Sequence, residues 1–170
     1  MTATAAQSTP AAARPRPVTE RILPLWERLR GLPGGPRIFS LLLGRMAPYT
    51  GSVRPLVVEL APGRATVVMR DRRAVRNHLK SIHAIALANL AEAASGLAVI
   101  AGLPEGMRGI LIGFRIEYTK KARGTLTARC VADVPTTREA TNYEPEVTIT
   151  DAAGDVVVRA WPTWKIGPSR

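Results

Sequence analysis

The sequence predicts an α+β domain in which a curved antiparallel sheet wraps around one long central helix, and three observations predict it. A run from Ile82 to Leu103 is rich in Ala and Leu, contains no proline and stops before Pro104; that is helix-forming composition closed by a helix breaker. The run is apolar on every side, interrupted only by Asn89, Glu92 and Ser95, so it belongs in a core or a membrane rather than on a surface. Two strand-like segments precede it and four follow it, which is the layout of a sheet curled about a helix. The run is just long enough to cross a bilayer, but the charge of Glu92 at its middle would cost a few kcal/mol there. A helix enclosed by sheet fits better.

Taken in order, residues 1–17 are Ala, Thr, Pro and Arg without periodicity and are expected to form a disordered N-terminal extension. They lack the apolar core of a secretory signal. Residues 18–50 are expected to form a helical segment packed on the domain. Ile22, Leu25, Trp26 and Leu29 fall at helical spacing, and Ile38 to Met46 repeats the pattern after Gly34-Gly35-Pro36. The polar faces carry Arg21, Arg28, Arg30, Arg37 and Arg45. Such a basic amphipathic pair either lies on a membrane or packs its apolar stripe on the domain with its arginines in water; the second reading is preferred.

Residues 51–170 are expected to form the sheet-and-helix domain. Val57 to Leu60 and Ala65 to Met69 read as strands around a Pro62-Gly63 turn, and Asp71 to Arg76 is a charged loop leading to the helix. Beyond Pro104, Gly109 to Tyr118, Thr125 to Val134, Glu144 to Thr150 and Val156 to Ile166 read as strands of a meander, with turn signals at Lys120 to Gly124 and Asp151 to Asp155. Pro162 demotes its part of the last strand to an edge or a bulge.

At 170 residues with 46% hydrophobic content, the chain holds one domain with a real core. The lone Cys130 excludes an internal disulfide, suits a reducing cytoplasm, and reads as a small buried hydrophobe. A formal charge of +11 attracts polyanions: nucleic acid, an anionic membrane, or a phosphorylated ligand. Aromatics at 5% and the absence of a dense basic run disfavour a nucleic-acid platform. Two histidines and one cysteine make no credible zinc set.

Glu92 is the residue to explain, because a carboxylate on a buried helix is kept only when paired, hydrogen-bonded or neutral. It serves a site, or it reaches a rim of solvent or an arginine. His83 precedes it by nine positions. At roughly 100° per residue that is about two and a half turns, so the two point to opposite sides. Two helices packed antiparallel about a two-fold axis would bring Glu92 of one chain near His83 of the other, so a site using both requires a dimer.

The pattern Asn77, His83, Leu90-Ala91-Glu92 resembles the helix motif of hotdog-fold thioesterases of the phenylacetate-pathway (PaaI-like) type. It is closer still to uncharacterised hotdog proteins in which His-Ala replaces His-Gly and Glu replaces Asp. The resemblance covers roughly residues 53–166. It implies a hotdog fold with two extra N-terminal helices, a homodimer that either stands alone or pairs into a tetramer, and a cytoplasmic hydrolase of acyl-CoA or related thioesters. It implies no cofactor, coenzyme A entering only as part of the substrate, and neither a nucleic-acid partner nor a transmembrane segment. Carried over, Glu92 is the general base or nucleophile, the Ala84 N–H at the helix start polarises the carbonyl, and Asn77 with His83 orients water or substrate. Asn89 and Ser95 on the helix, and Lys120, Lys121 and Arg123 toward the phosphates, are the expected substrate contacts. Ala84-Ile85 in place of Gly-Gly leaves less room beside a thioester and favours, as the alternative, a non-catalytic acyl-CoA-binding module. A hydratase of this fold needs an acid followed closely by a histidine, which this chain lacks, and neither Ser81 nor Ser95 sits in a nucleophile elbow.

Overall fold

The structure, a computed structural model, describes residues 18–169; the expected N-terminal extension lies outside the described residues. The elements are α1 (Val18–Leu29), α2 (Gly35–Met46), α3 (Pro48–Ser52), β1 (Leu56–Ala61), β2 (Arg64–Met69), α4 (Ala84–Gly102), β3 (Met107–Tyr118), β4 (Leu126–Val131), β5 (Thr141–Tyr143), β6 (Val147–Thr150) and β7 (Val156–Pro168). One 3-10 turn, Arg73–Val75, falls in the charged loop before α4.

Seven antiparallel strands form one sheet in the order β1-β2-β4-β6-β7-β3, with β5 pairing the far end of β7. The expected meander is therefore corrected. β4, β6 and β7 follow one another, but β3 pairs with β7 along its whole length and ends at the opposite edge from β1. The segment from Thr119 to Thr125 is consequently a crossover between β3 and β4, not a hairpin tip. Pro162 falls where β7 changes partner, between Ala160 opposite β6 and Trp164 opposite β5, and a bulge sits across from it on β3 between Leu111 and Gly113. A residue without an N–H is tolerated at such a break in the ladder.

Alternation decides which side of the sheet holds the core. Ala65, Val67 and Met69 on β2 stand opposite Cys130, Ala128 and Leu126 on β4, and all six are buried. Ala128 faces Ile149, and Ile149 faces Val158, so the inward rows are in register across the sheet. Thr127, Arg129 and Val131 take the opposite face. Cys130 is a buried core residue, and burial pushes its thiol up to about 12.

α4 lies in the concavity and touches β1, β2, β3, β4, β6 and β7. Among the described residues it is the one helix long and apolar enough to cross a membrane, and most of it is buried inside the fold. Its approach to β7 depends on Gly96, where an added Cβ would meet the tip of the Trp164 ring at 3.1 Å. The Trp164 indole N–H donates to Ser95 Oγ at 3.2 Å, and Ser95 Oγ donates to the Glu92 carbonyl at 3.0 Å. At the other turn of the fold, Gly63 has φ +69°, and a Cβ there would strike the Ala132 carbonyl at 2.4 Å.

The N-terminal helices close the open end of this arrangement. Ile22 and Trp26 of α1 and Phe39 and Leu43 of α2 are buried, Trp26 and Phe39 meeting edge to face at 5.2 Å. Ser40 ties α2 to the sheet by accepting from the Val57 N–H at 2.9 Å. After α2 the chain forms the short α3, with Pro48 in its first turn where a missing N–H costs nothing.

Ser95→Ala leaves the buried Trp164 N–H without its acceptor. We expect a loss of about 1–3 kcal/mol, read by thermal or urea unfolding, and a smaller loss for Ser95→Thr.

Candidate active site

The approach to α4 is a tight loop built on Asn77. Its Oδ1 accepts from the Leu79 N–H at 2.9 Å, the Ser81 N–H at 3.2 Å and the Ser81 hydroxyl at 3.2 Å. Lys80 within the loop adopts φ +55°, a left-handed conformation that costs a non-glycine residue energy and is held by these bonds. The Ile82 N–H then donates to the Ala122 carbonyl at 2.9 Å, fastening the loop to the β3–β4 crossover.

His83 is the N-cap of α4. Its backbone is extended, its carbonyl accepts from the Ala86 and Leu87 N–H groups, and its Nδ1 accepts from the Ile85 N–H at 3.1 Å. That bond places the ring proton on Nε2. Ala84 is the first helical residue, and among the described residues its N–H has no acceptor. An unclaimed N–H at the positive end of a 19-residue helix is a donor for developing negative charge.

A cavity of about 380 Å³ opens at this helix end, lined by Asn77, Ala84, Leu87, Tyr118, Lys120 and Lys121 among others. Tyr118 went unnoticed in the sequence. Its hydroxyl donates to the Ala84 carbonyl at 3.2 Å, and partial burial pushes its pKa up. Its position as the last residue of an alternating strand, just before the basic segment, was the available signal.

The basic segment is more engaged than its sequence implies. Lys120 Nζ pairs with Asp151 at 2.8 Å and Asp155 at 2.5 Å, and the first of these bonds holds the Asp151 carboxyl below its usual range. Lys120, expected to face a phosphate, thus has two carboxylates beside it. Arg123 lies near Asp71, whose carboxylate accepts from Arg76 Nε at 2.6 Å and from the Gly124 N–H at 3.0 Å. Lys121 is exposed at the cavity and makes no ion pair among the described residues.

Glu92 does not line this cavity. It lies eight residues beyond Ala84, about 12 Å along the helix axis at 1.5 Å per residue. Half-buried beside Ile85 and Ala88 on the least covered stripe of α4, it has no cation partner among the described residues, and burial pushes its carboxyl above the usual range. Asn89 donates to the Tyr49 carbonyl at 2.9 Å, tying α4 to α3, while its buried Oδ1 finds no partner among the described residues. Ser95 is fully buried with its hydroxyl committed to Trp164 and the Glu92 carbonyl. One chain thus brings Asn77, Ala84, Lys120 and Lys121 together and keeps Glu92 apart from them. Among the described residues no cluster of His, Cys, Asp and Glu is arranged to hold a metal ion.

A family described as a domain of unknown function (DUF4442) matches residues 35–166. Among solved structures, a structural-genomics target is 34% identical, covers 88% of this chain and 99% of its own, and superposes with a TM-score of 0.77. A Pseudomonas aeruginosa protein of unknown function, called a probable thioesterase, is 20% identical over 81% of this chain and 97% of its own, with a TM-score of 0.67. A hypothetical thioesterase from Streptococcus pneumoniae TIGR4, crystallised with coenzyme A, is 24% identical over 68% of this chain and 90% of its own, with a TM-score of 0.57. No curated protein shows significant similarity.

Burial gives Glu92 a testable signature. A folded-state pKa above the unfolded one means that its contribution is fully present at low pH and is lost as pH rises through the raised value. Glu92→Gln removes that loss. The variant should melt roughly 1–3 °C higher than the parent at neutral pH, with the difference vanishing below about pH 4, as followed by thermal unfolding across pH.

Proposed function

The chain belongs to the DUF4442 family and has the hotdog fold of the thioesterase superfamily, and from that premise we propose that it hydrolyses acyl-CoA or related acyl thioesters at a site shared between two subunits. The observation that carries this reading is Glu92: a half-buried carboxylate with no cation partner among the described residues, and the single charged residue of α4. Burial raises its carboxyl above the usual range, which makes it a stronger base than an exposed glutamate and suits it to proton transfer.

In this reading Glu92 of one protomer removes a proton from water as the water oxygen bonds to the thioester carbon. The developing oxyanion is received by the Ala84 N–H of the other protomer, at a helix N-terminus. Collapse breaks the C–S bond and the thiol leaves with the proton held by Glu92. Direct attack by the carboxylate, followed by hydrolysis of the resulting anhydride, uses the same groups. The exposed Lys121 beside the cavity suits the phosphates of coenzyme A, with Arg123 two residues further along the same segment, and the coenzyme A bound by the Streptococcus pneumoniae neighbour supports a nucleotide-bearing substrate.

In this reading a dimer is what would unite Glu92 and Ala84, which lie apart along one helix. The sheet ends on β3, a 12-residue edge with Ile110 and Ile112 exposed. A long apolar edge of this kind invites pairing with another strand. Two such edges paired about a two-fold axis would set the helices antiparallel and bring each Glu92 toward the other chain's helix start.

The alternative, a non-catalytic acyl-CoA-binding module, is favoured by Ile85. Its side chain is 53% exposed at the helix start, and its N–H is taken by His83. Thiol release and ligand binding measured side by side separate the two, since binding without release is the module's signature.

Replacing Glu92 with Ala should lower thiol release from acyl-CoA at least about a thousandfold while the fold, read by circular dichroism, persists; undiminished turnover would remove the mechanism. A second outcome tests the shared site. Ala84→Pro deletes the N–H at a helical position where proline is tolerated and should cost about 10²–10³ in kcat. Mixed and reassembled with Glu92→Ala, it should recover about a quarter of parental activity, because half of the dimers then carry one intact site. No recovery from the mixture would place both groups in one chain.

A further inference from the structure

α2 has two apolar stripes and only one of them is used. Phe39 and Leu43 face the core, but Ile38, Leu42 and Met46 follow one another at four-residue spacing along the outer side. Beside them run Arg37, Leu41 and Arg45, again four apart. Leu41 is 59% exposed, and Tyr49 on α3 continues the stripe at 68%. Neither arginine makes an ion pair among the described residues. From Arg28 to Val58 the chain holds five arginines and no acid.

We propose that the outer face of α2 and α3 docks the protein on an anionic lipid bilayer, Ile38, Leu41, Met46 and Tyr49 entering the headgroup boundary while Arg37 and Arg45 meet lipid phosphates. The ridge has the composition of an interfacial helix, with aliphatic side chains flanked by arginines. Charge selects the occupant. A second copy seated on the same stripe would set the arginines of one α2 against those of the other, with no acid on α2 or α3 to answer them, whereas an anionic surface answers both. The surface is distinct from the helix-end cavity and does not depend on the chemistry proposed there. It is nevertheless wired to α4 through the bond from Asn89 to the Tyr49 carbonyl.

Cosedimentation of the full chain with vesicles tests this. Binding to phosphatidylcholine vesicles containing phosphatidylglycerol should exceed binding to phosphatidylcholine alone by at least about tenfold and should fall with added salt. Leu41→Glu should lower it about tenfold or more, as should the pair Arg37→Glu and Arg45→Glu. Arg64→Glu with Arg129→Glu, which removes the same charge from the outer face of the sheet, should leave it within about twofold. Absence of vesicle binding, indifference to Leu41→Glu, or an equal loss from the sheet-face pair would overturn the proposal. So would a change in sedimentation coefficient on Leu41→Glu without lipid, which would mark the stripe as a contact between proteins.

Discussion

A helix without a polar face has to be covered on all sides, and the rest of this fold answers that requirement. The sheet supplies most of the cover: six of its seven strands reach α4, and their inward residues stay in register from β2 through β7. The N-terminal helices supply the remainder, with α1 and α3 resting on the exposed flank. Polar atoms within the enclosure are few and nearly all are committed, Ser95 to Trp164 and Asn89 to Tyr49. Glu92 is the charge this enclosure leaves unanswered among the described residues. That exception, more than the pockets, gives the helix a chemical identity.

Much of this was legible because it rests on local pattern. The central helix shows in composition and in its proline stop, the β1–β2 hairpin in Pro62-Gly63, and the inward rows of β4 and β7 in alternation. The sheet order was not legible, because nothing local says that β3 passes over β4 to pair with β7; loop closure and covering α4 decide that. Nor was the state of Lys120, whose two carboxylates lie 31 and 35 residues further on. His83 shows the same limit in reverse. Its spacing from Glu92 drew attention to it as a site residue, yet its immediate role is to cap the helix that carries Glu92. Ser95 looked like a polar opening in an apolar wall and is a bridge to an indole sixty-nine residues away.

The positive charge of the chain is similarly uneven in its meaning. Around the start of α4, two cations are tied into pairs that shape the entry loop and crossover: Arg76 with Asp71, and Lys120 with two aspartates. On α2 the arginines make no ion pair among the described residues and stand among exposed aliphatic side chains. The first group stiffens structure; the second presents itself outward. A formal +11 read as a single number hides this division of labour.

The lone cysteine has a practical corollary. Cys130 lies under the sheet with its thiol pushed up to about 12, so at ordinary pH it is neither exposed nor ionised. The native fold should therefore stay silent toward disulfide-exchange chromophores and maleimides. Colour developing in their presence would come from newly liberated sulfhydryls or from molecules that have unfolded. One engineered cysteine elsewhere on the surface would then carry a fluorophore or spin label without competition from the protein's own sulfur.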